Sequence, residues 1–158
     1  MSETIFILTL AAALGSGIVA GIFYAFSSFV MGALGKLPPH EGIAAMQSIN
    51  IVVINPVFFV AFFGTALLSL ALGIYAALNW GTAGAMLLLA SALIYLFGCI
   101  FVTMAFNVPL NNRLAKVEPA SAEGAEVWAH YLGAWTRWNT VRTVAPSVSL
   151  VLYVLAMV

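Results

Sequence analysis

From Ile5 to Leu34 the chain carries no charged side chain. An α-helix rises about 1.5 Å per residue, so about 20 apolar residues cross the roughly 30 Å hydrocarbon core of a bilayer. This stretch exceeds that length. It opens beside Glu3 rather than a Lys or Arg, and its apolar run is about twice that of a secretory signal core. It is therefore expected to be a retained span, long enough to tilt. Three more apolar stretches follow, placing the spans at about 5–34, 51–78, 83–106 and 138–158. Backbone polar groups in lipid must be satisfied within their own segment, which leaves helices as the sensible reading. The expected fold is all-α: an integral membrane four-helix bundle in a single domain, 1–158, with both termini on the same side.

Composition supports this and removes other classes. Hydrophobic residues make up 64% and charged residues 6%, where soluble domains carry roughly 25% charged residues. Five Lys/Arg and five Asp/Glu cannot cover a water-exposed surface, so a soluble monomer is excluded. No basic patch exists to neutralise phosphates, so no nucleic-acid partner is expected. Cys99 is the single cysteine; it rules out an internal disulfide and reads as a small packing residue.

The connections assign an orientation. Asn79-Trp80-Gly81-Thr82 is a short uncharged hairpin, whereas Gly35–Asn50 and Asn107–Arg137 are long and polar. Lys36, Arg113, Lys116, Arg137 and Arg142 all lie toward the long connections. By the positive-inside rule the long connections are cytoplasmic and both termini outside, in a multi-pass protein of the cell (inner) membrane. Small residues recur at Ala13, Gly17, Gly21 and Ala25, and again at Ser69 and Gly73. They read as close helix packing, and the Gly17/Gly21 face could also serve a homodimer.

Polar side chains inside spans are costly and point to function. Tyr24, Ser27, Ser28, Gln47, Asn50, Asn55, Thr103, Asn107, Asn111 and the run Trp135–Thr143 all fall at the cytoplasmic helix ends. Wound at 100° per residue, Trp128, Tyr131, Trp135, Trp138, Asn139, Arg142, Pro146, Ser149 and Tyr153 share one face, with Glu126, His130, Gly133 and Arg137 on the reverse. Arg137 is expected to pair with Glu126 or His130 or to snorkel. Trp128 and Trp135 read as membrane-interface belt residues. Arg142 lies deeper, with no acid in any span, and must find amides, carbonyls, aromatic faces or a bound anion. It is expected either to sit in a polar knot with Asn107, Asn55 or free carbonyls, or to contact a ligand. His40 and His130 are the only histidines, so no metal site is expected. No glycine-rich phosphate cradle is present, and no intramembrane acid offers proton-coupled transport.

Several motifs occur in a fixed order. They are Phe23-Tyr24-Ala25-Phe26-Ser27-Ser28-Phe29-Val30-Met31, Ala44-Ala45-Met46-Gln47-Ser48-Ile49-Asn50, Asn55-Pro56-Val57-Phe58, Phe106-Asn107-Val108-Pro109-Leu110-Asn111, and Trp135-Thr136-Arg137-Trp138-Asn139 with Val141-Arg142-Thr143. Together they resemble the anthrone-oxygenase-like family of small four-span membrane proteins, over nearly the whole chain. The resemblance implies oxidation of an anthrone-like lipophilic aromatic by O₂ with no cofactor. The family's last motif often has His where this chain has Thr140.

That chemistry asks for an apolar slot, an aromatic wall and donors for a phenolate or enolate oxygen. The candidate catalytic residues are Arg142, Asn139 and Tyr24. Asn107, Asn55, Asn50, Trp138 and Ser28 are candidate substrate-binding residues in a pocket at the cytoplasmic end of the bundle. The alternatives are non-catalytic binding or transport of a small lipophilic or anionic molecule, and a structural membrane subunit in which the same residues lock the helices.

Overall fold

The computed structural model describes residues 1–158. Five helices and no strands account for the fold. Helix α1 spans Glu3–Leu34, α3 Pro56–Leu78, α4 Ala85–Leu114 and α5 Ala122–Ala156, and these four are long and apolar enough to cross a membrane. The shorter α2, Pro39–Val52, lies between the first two.

Each helix starts where local chemistry permits it. Ser2 accepts from the Ile5 amide, Asn55 from Phe58 and Ser121 from Gly124, each filling an orphan donor of a first turn. Pro39 and Pro56 stand in first turns, where a missing N–H costs nothing. The hairpin between α3 and α4 turns on Gly81 and Gly84, at φ +94° and +79°. A Cβ on Gly84 would also meet the Ala156 carbonyl at 2.9 Å.

The four long helices form a ring in which α1 packs on α5 and α3, and α4 packs on α3 and α5. At one end, Ala12, Leu72, Ala85 and Tyr153 build a core with Ile5 and Ala156 at its edge. Both termini and the short hairpin therefore share that end. At the other end Met31, Ile43, Met46, Leu114, Trp128 and Tyr131 pack together. Cys99 is sealed in the middle layer with Val19, Phe23, Phe62 and Tyr95.

Lipid offers no hydrophobic drive between helices, so close approach and hydrogen bonds hold them. Ser149 Oγ donates to the Ser91 carbonyl at 2.9 Å and Ser91 Oγ returns a bond at 3.3 Å. Tyr153 Oη donates to Ser69 Oγ and Tyr95 Oη to the Phe62 carbonyl. Tight glycines between helices include Gly15 against Thr65, Gly42 against Trp128, Gly73 against Ala92 and Gly98 against Ala145. Gly73 is thus a close-packing residue as expected. Gly21 has open space around its Cα and Gly17 only ordinary contact with Leu150, so that pair does not bring helices of this chain together.

The long connections contain more helix than the polar pattern suggested. Gly35–Asn50 folds largely into α2, α4 continues past Phe106 to Leu114, and α5 begins at Ala122. Polar side chains there satisfy each other and nearby carbonyls across helices, so polarity did not mark loops. Gln47, for one, donates to the carbonyls of Leu114 and Val117.

Candidate functional site

A cavity of about 240 Å³ lies toward the end of the bundle that carries α2. An apolar cavity of roughly 150 Å³ already holds benzene, so this one has room for a fused-ring body. Phe23, Phe26, Phe58, Phe62 and Trp135 line it with aliphatic side chains, and its polar members are Asn50, Thr103, Asn111 and Arg142.

Wide π-type turns surround it. They occur at Phe26–Val30, Val60–Gly64 and Thr103–Asn107, and they contribute Phe26, Phe62, Phe63, Thr103 and Met104 to the walls. A π turn rotates the following side chains relative to a regular helix, and such turns gather at functional sites. Sequence periodicity at 100° per residue carries no sign of them.

Arg142 is the charged member of the lining and only 5% exposed. Its Nε donates to Asn139 Oδ1 at 3.2 Å and its Nη1 to Thr103 Oγ1 at 3.3 Å. The guanidinium carbon lies 4.3 Å from the Phe23 ring centre and 4.9 Å from that of Trp135. Cation–π contacts of this kind are worth up to about 2 kcal/mol when desolvated. All five glutamates are exposed, and the sole ion pair is His40 with Glu41 at 3.9 Å. The Arg142 charge therefore has no anionic partner. A guanidinium has five N–H donors, and two are used by protein.

The other candidate residues are distributed as follows. Asn50 lines the cavity. Asn139 lies directly behind Arg142: its Nδ2 donates to the Phe23 carbonyl and to Ser27 Oγ, both at 2.7 Å. Asn107 is buried and donates to the Trp135 carbonyl at 3.1 Å, while its Oδ1 has no partner. Asn55 is a helix cap and also donates to the Val52 carbonyl. Trp138 stacks on Phe106, rings 3.7 Å apart, away from the cavity. Tyr24 is 63% exposed on the outer face of α1, and Ser28 is exposed, bonded to the Tyr24 carbonyl. The cavity thus takes Arg142 and Asn50 from the expected set. The rest support its walls or face outward.

Two interface expectations fail on burial. Trp128 and Trp135 are each 3% exposed; they belong to an aromatic stack with Tyr131 inside the protein, not to a belt. Arg137 is exposed with no acid or histidine partner within salt-bridge range, so of its expected roles only snorkelling is left.

Sequence reasoning missed the aromatic wall of Phe23, Phe26, Phe58 and Phe62, and the roles of Thr103 and Asn111. Thr103, Asn107 and Asn111 recur every four residues and bond Arg142, the Trp135 carbonyl, and Tyr131 with Trp135 in turn. That spacing was the available signal. No group of three His, Cys, Asp or Glu side chains gathers anywhere in the chain.

The cavity has an open side. Ile54, Phe59, Phe63 and Met104 line the space yet are 66%, 41%, 42% and 56% exposed, so it opens among apolar side chains on the outer surface of the bundle.

A family described as anthrone oxygenase matches residues 57–152, more than half of the chain. The chain belongs to the anthrone oxygenase family. The matched region supplies Phe58, Phe62, Thr103, Asn111, Trp135 and Arg142, while the α1 and α2 side of the cavity lies before it. No curated protein and no solved structure matches the chain. Thr140 is exposed beside Ser27 at 3.0 Å and is not among the residues lining the Arg142 cavity.

Proposed function

We propose that this membrane protein oxidises a flat, lipophilic, anthrone-like compound with O₂, unaided by a cofactor, in the cavity that Arg142 closes. The observation that carries this reading is a buried arginine without a counter-ion at the wall of an aromatic slot, in a chain of the anthrone oxygenase family. A fixed positive charge in a largely apolar site stabilises an enolate oxygen far more than bulk water does, because little reorganisation is needed when the charge develops.

The steps balance without a further reactant. The methylene carbon opposite the ketone loses a proton, and the resulting enolate is held at its oxygen by Arg142. The carbanion reduces O₂ and forms a carbon–oxygen bond, giving a hydroperoxide after protonation. Loss of one water then leaves a second ketone. One O₂ is consumed for each quinone and water formed.

No carboxylate, histidine or tyrosine lines the cavity, so the proton passes to water, and the guanidinium contributes by making the bound substrate more acidic. Tyr24 takes no part in this scheme, since its ring faces outward. Asn139 positions Arg142 through its Nε contact. Substrate dissolved in the bilayer reaches the slot between Ile54 and Met104.

The test is O₂ uptake by the purified protein in detergent with anthrone, with the quinone measured alongside. Arg142→Met keeps the side-chain length and removes the charge; turnover is expected to fall by about two to three orders of magnitude. An Arg142→Met variant as fast as the parent sinks the assignment. A compound that co-purifies, leaves unchanged and is lost in the same variant replaces it with binding or transport.

A further inference from the structure

Asn111 lines the same cavity, and its amide orientation is fixed by its neighbours. Its Oδ1 accepts from Tyr131 Oη and from Trp135 Nε1, both at 2.8 Å. An indole N–H can only donate, so the oxygen must face it and the amide cannot be turned around. The two bonds occupy both lone pairs of Oδ1, and the Nδ2 group has no hydrogen bond to the protein. The side-chain polar atoms sealed away without a partner are Ser16 Oγ and Asn107 Oδ1. The Asn111 Nδ2 is not one of them, so it is not sealed in packed protein, and its residue lies on the cavity wall. Asn111 is therefore a neutral, one-way donor on the wall of a slot whose other polar members are Asn50, Thr103 and Arg142.

Trp135 links it to Arg142. The same indole whose N–H bonds Asn111 lies 4.9 Å from the guanidinium carbon. The slot therefore has a cationic station and a neutral donor station flanking one flat ring.

We propose that Asn111 is a specificity-determining residue. Among planar aromatic anions it favours those that carry, besides the charged oxygen received by Arg142, an uncharged oxygen placed to accept from Nδ2; unsubstituted anthrone, with a single oxygen, is then bound less well than an anthrone bearing a further ring oxygen. The inference rests on the reading that Arg142 receives the anionic oxygen. A flat anion lacking the second acceptor leaves Asn111 unpaired on desolvation, and that penalty is what discriminates.

Two flat bicyclic anions serve as probes. Lawsone is an enolate at neutral pH and also carries a ring carbonyl; naphthoate is a carboxylate with no neutral acceptor. Their affinities are measured by calorimetry on the full chain in detergent. The parent is expected to prefer lawsone, and Asn111→Leu to reduce that preference about tenfold, by removing both the Nδ2 bond to lawsone and the unpaired-donor penalty on naphthoate. Asn111→Leu also removes the acceptor for Tyr131 and Trp135 and could disturb the fold. Asn111→Asp keeps that acceptor and removes the donor; it weakens both anions but should likewise cancel the preference.

A lawsone-to-naphthoate ratio unchanged in either folded variant overturns the role of Asn111. Arg142→Met separates the two readings. If it abolishes binding of both probes while the Asn111 variants keep the ratio, only the Asn111 inference fails. If both probes bind Arg142→Met as they bind the parent, or neither binds the parent, the Arg142 reading fails and this one with it.

Discussion

Asn139 Oδ1 accepts from Arg142 Nε at 3.2 Å while the same amide donates to the Phe23 carbonyl on α1. The one side chain therefore fixes the guanidinium and ties α5 to α1. Asn139 is fully buried, and a buried amide with all its partners in place is rigid, whereas a half-satisfied one is costly.

Asn139→Leu should therefore affect both stability and chemistry. The Arg142 Nε loses its acceptor, a cost of about 1–3 kcal/mol for a buried group left unpaired, and the Phe23 carbonyl loses one donor while keeping the Phe26 amide. Thermal unfolding in detergent should occur at a lower temperature, and turnover should fall further than Asn55→Ala lowers it. Equal effects from the two variants would show that Asn139 has only a bundle-locking role.

The glycines separate packing from surface. Gly98 meets Ala145 too closely for any Cβ, whereas Gly21 has nothing within 4 Å. Gly98→Leu should destabilise by about 1–3 kcal/mol or more through overpacking, while Gly21→Leu leaves the unfolding temperature unchanged. A loss of self-association in Gly21→Leu, measured by cross-linking in bilayers, is the outcome expected if the Gly17/Gly21 face joins two copies.

Met104 stands at the rim, lining the cavity while 56% exposed. Enlarging it in Met104→Trp should slow association of lawsone from a vesicle membrane and slow its release by the same factor. A gate acts on both rates and not on the equilibrium. Stopped-flow traces in which affinity changes but the two rates do not move together would place the opening elsewhere.

Orientation follows from charge. Lys36, Arg113, Lys116 and Arg137 lie in or next to the connections at the α2 end, so that end, with the cavity near it, is proposed to face the cytoplasm. A reporter fused after Val158 should mature only if exported. Activity confined to the cytoplasm would invert the assignment.

The sequence by itself determined the fold class and singled out Arg142. Long uncharged stretches have a single outcome in lipid, because each backbone donor must be paired within its own helix. Arg142, one turn beyond Trp138 and with no acid near it in the sequence, was expected among amides and aromatic rings, and it lies there. The buried face of α5 was legible for the same reason: Trp128, Tyr131, Trp135, Asn139, Arg142, Pro146, Ser149 and Tyr153 are all sealed. Only Trp138 leaves that set, by stacking on Phe106.

The tertiary structure decided which polar groups face space and which face each other. Asn50 and Asn111 line the cavity; Asn55 caps a helix, Asn107 bonds a carbonyl and Asn139 supports Arg142. All five are the same residue type at the same end of the bundle, so composition and depth cannot rank them. Their roles depend on where π turns rotate the walls and on which carbonyls neighbouring helices bring near. Those are contacts between segments far apart in the chain, and no local pattern encodes them.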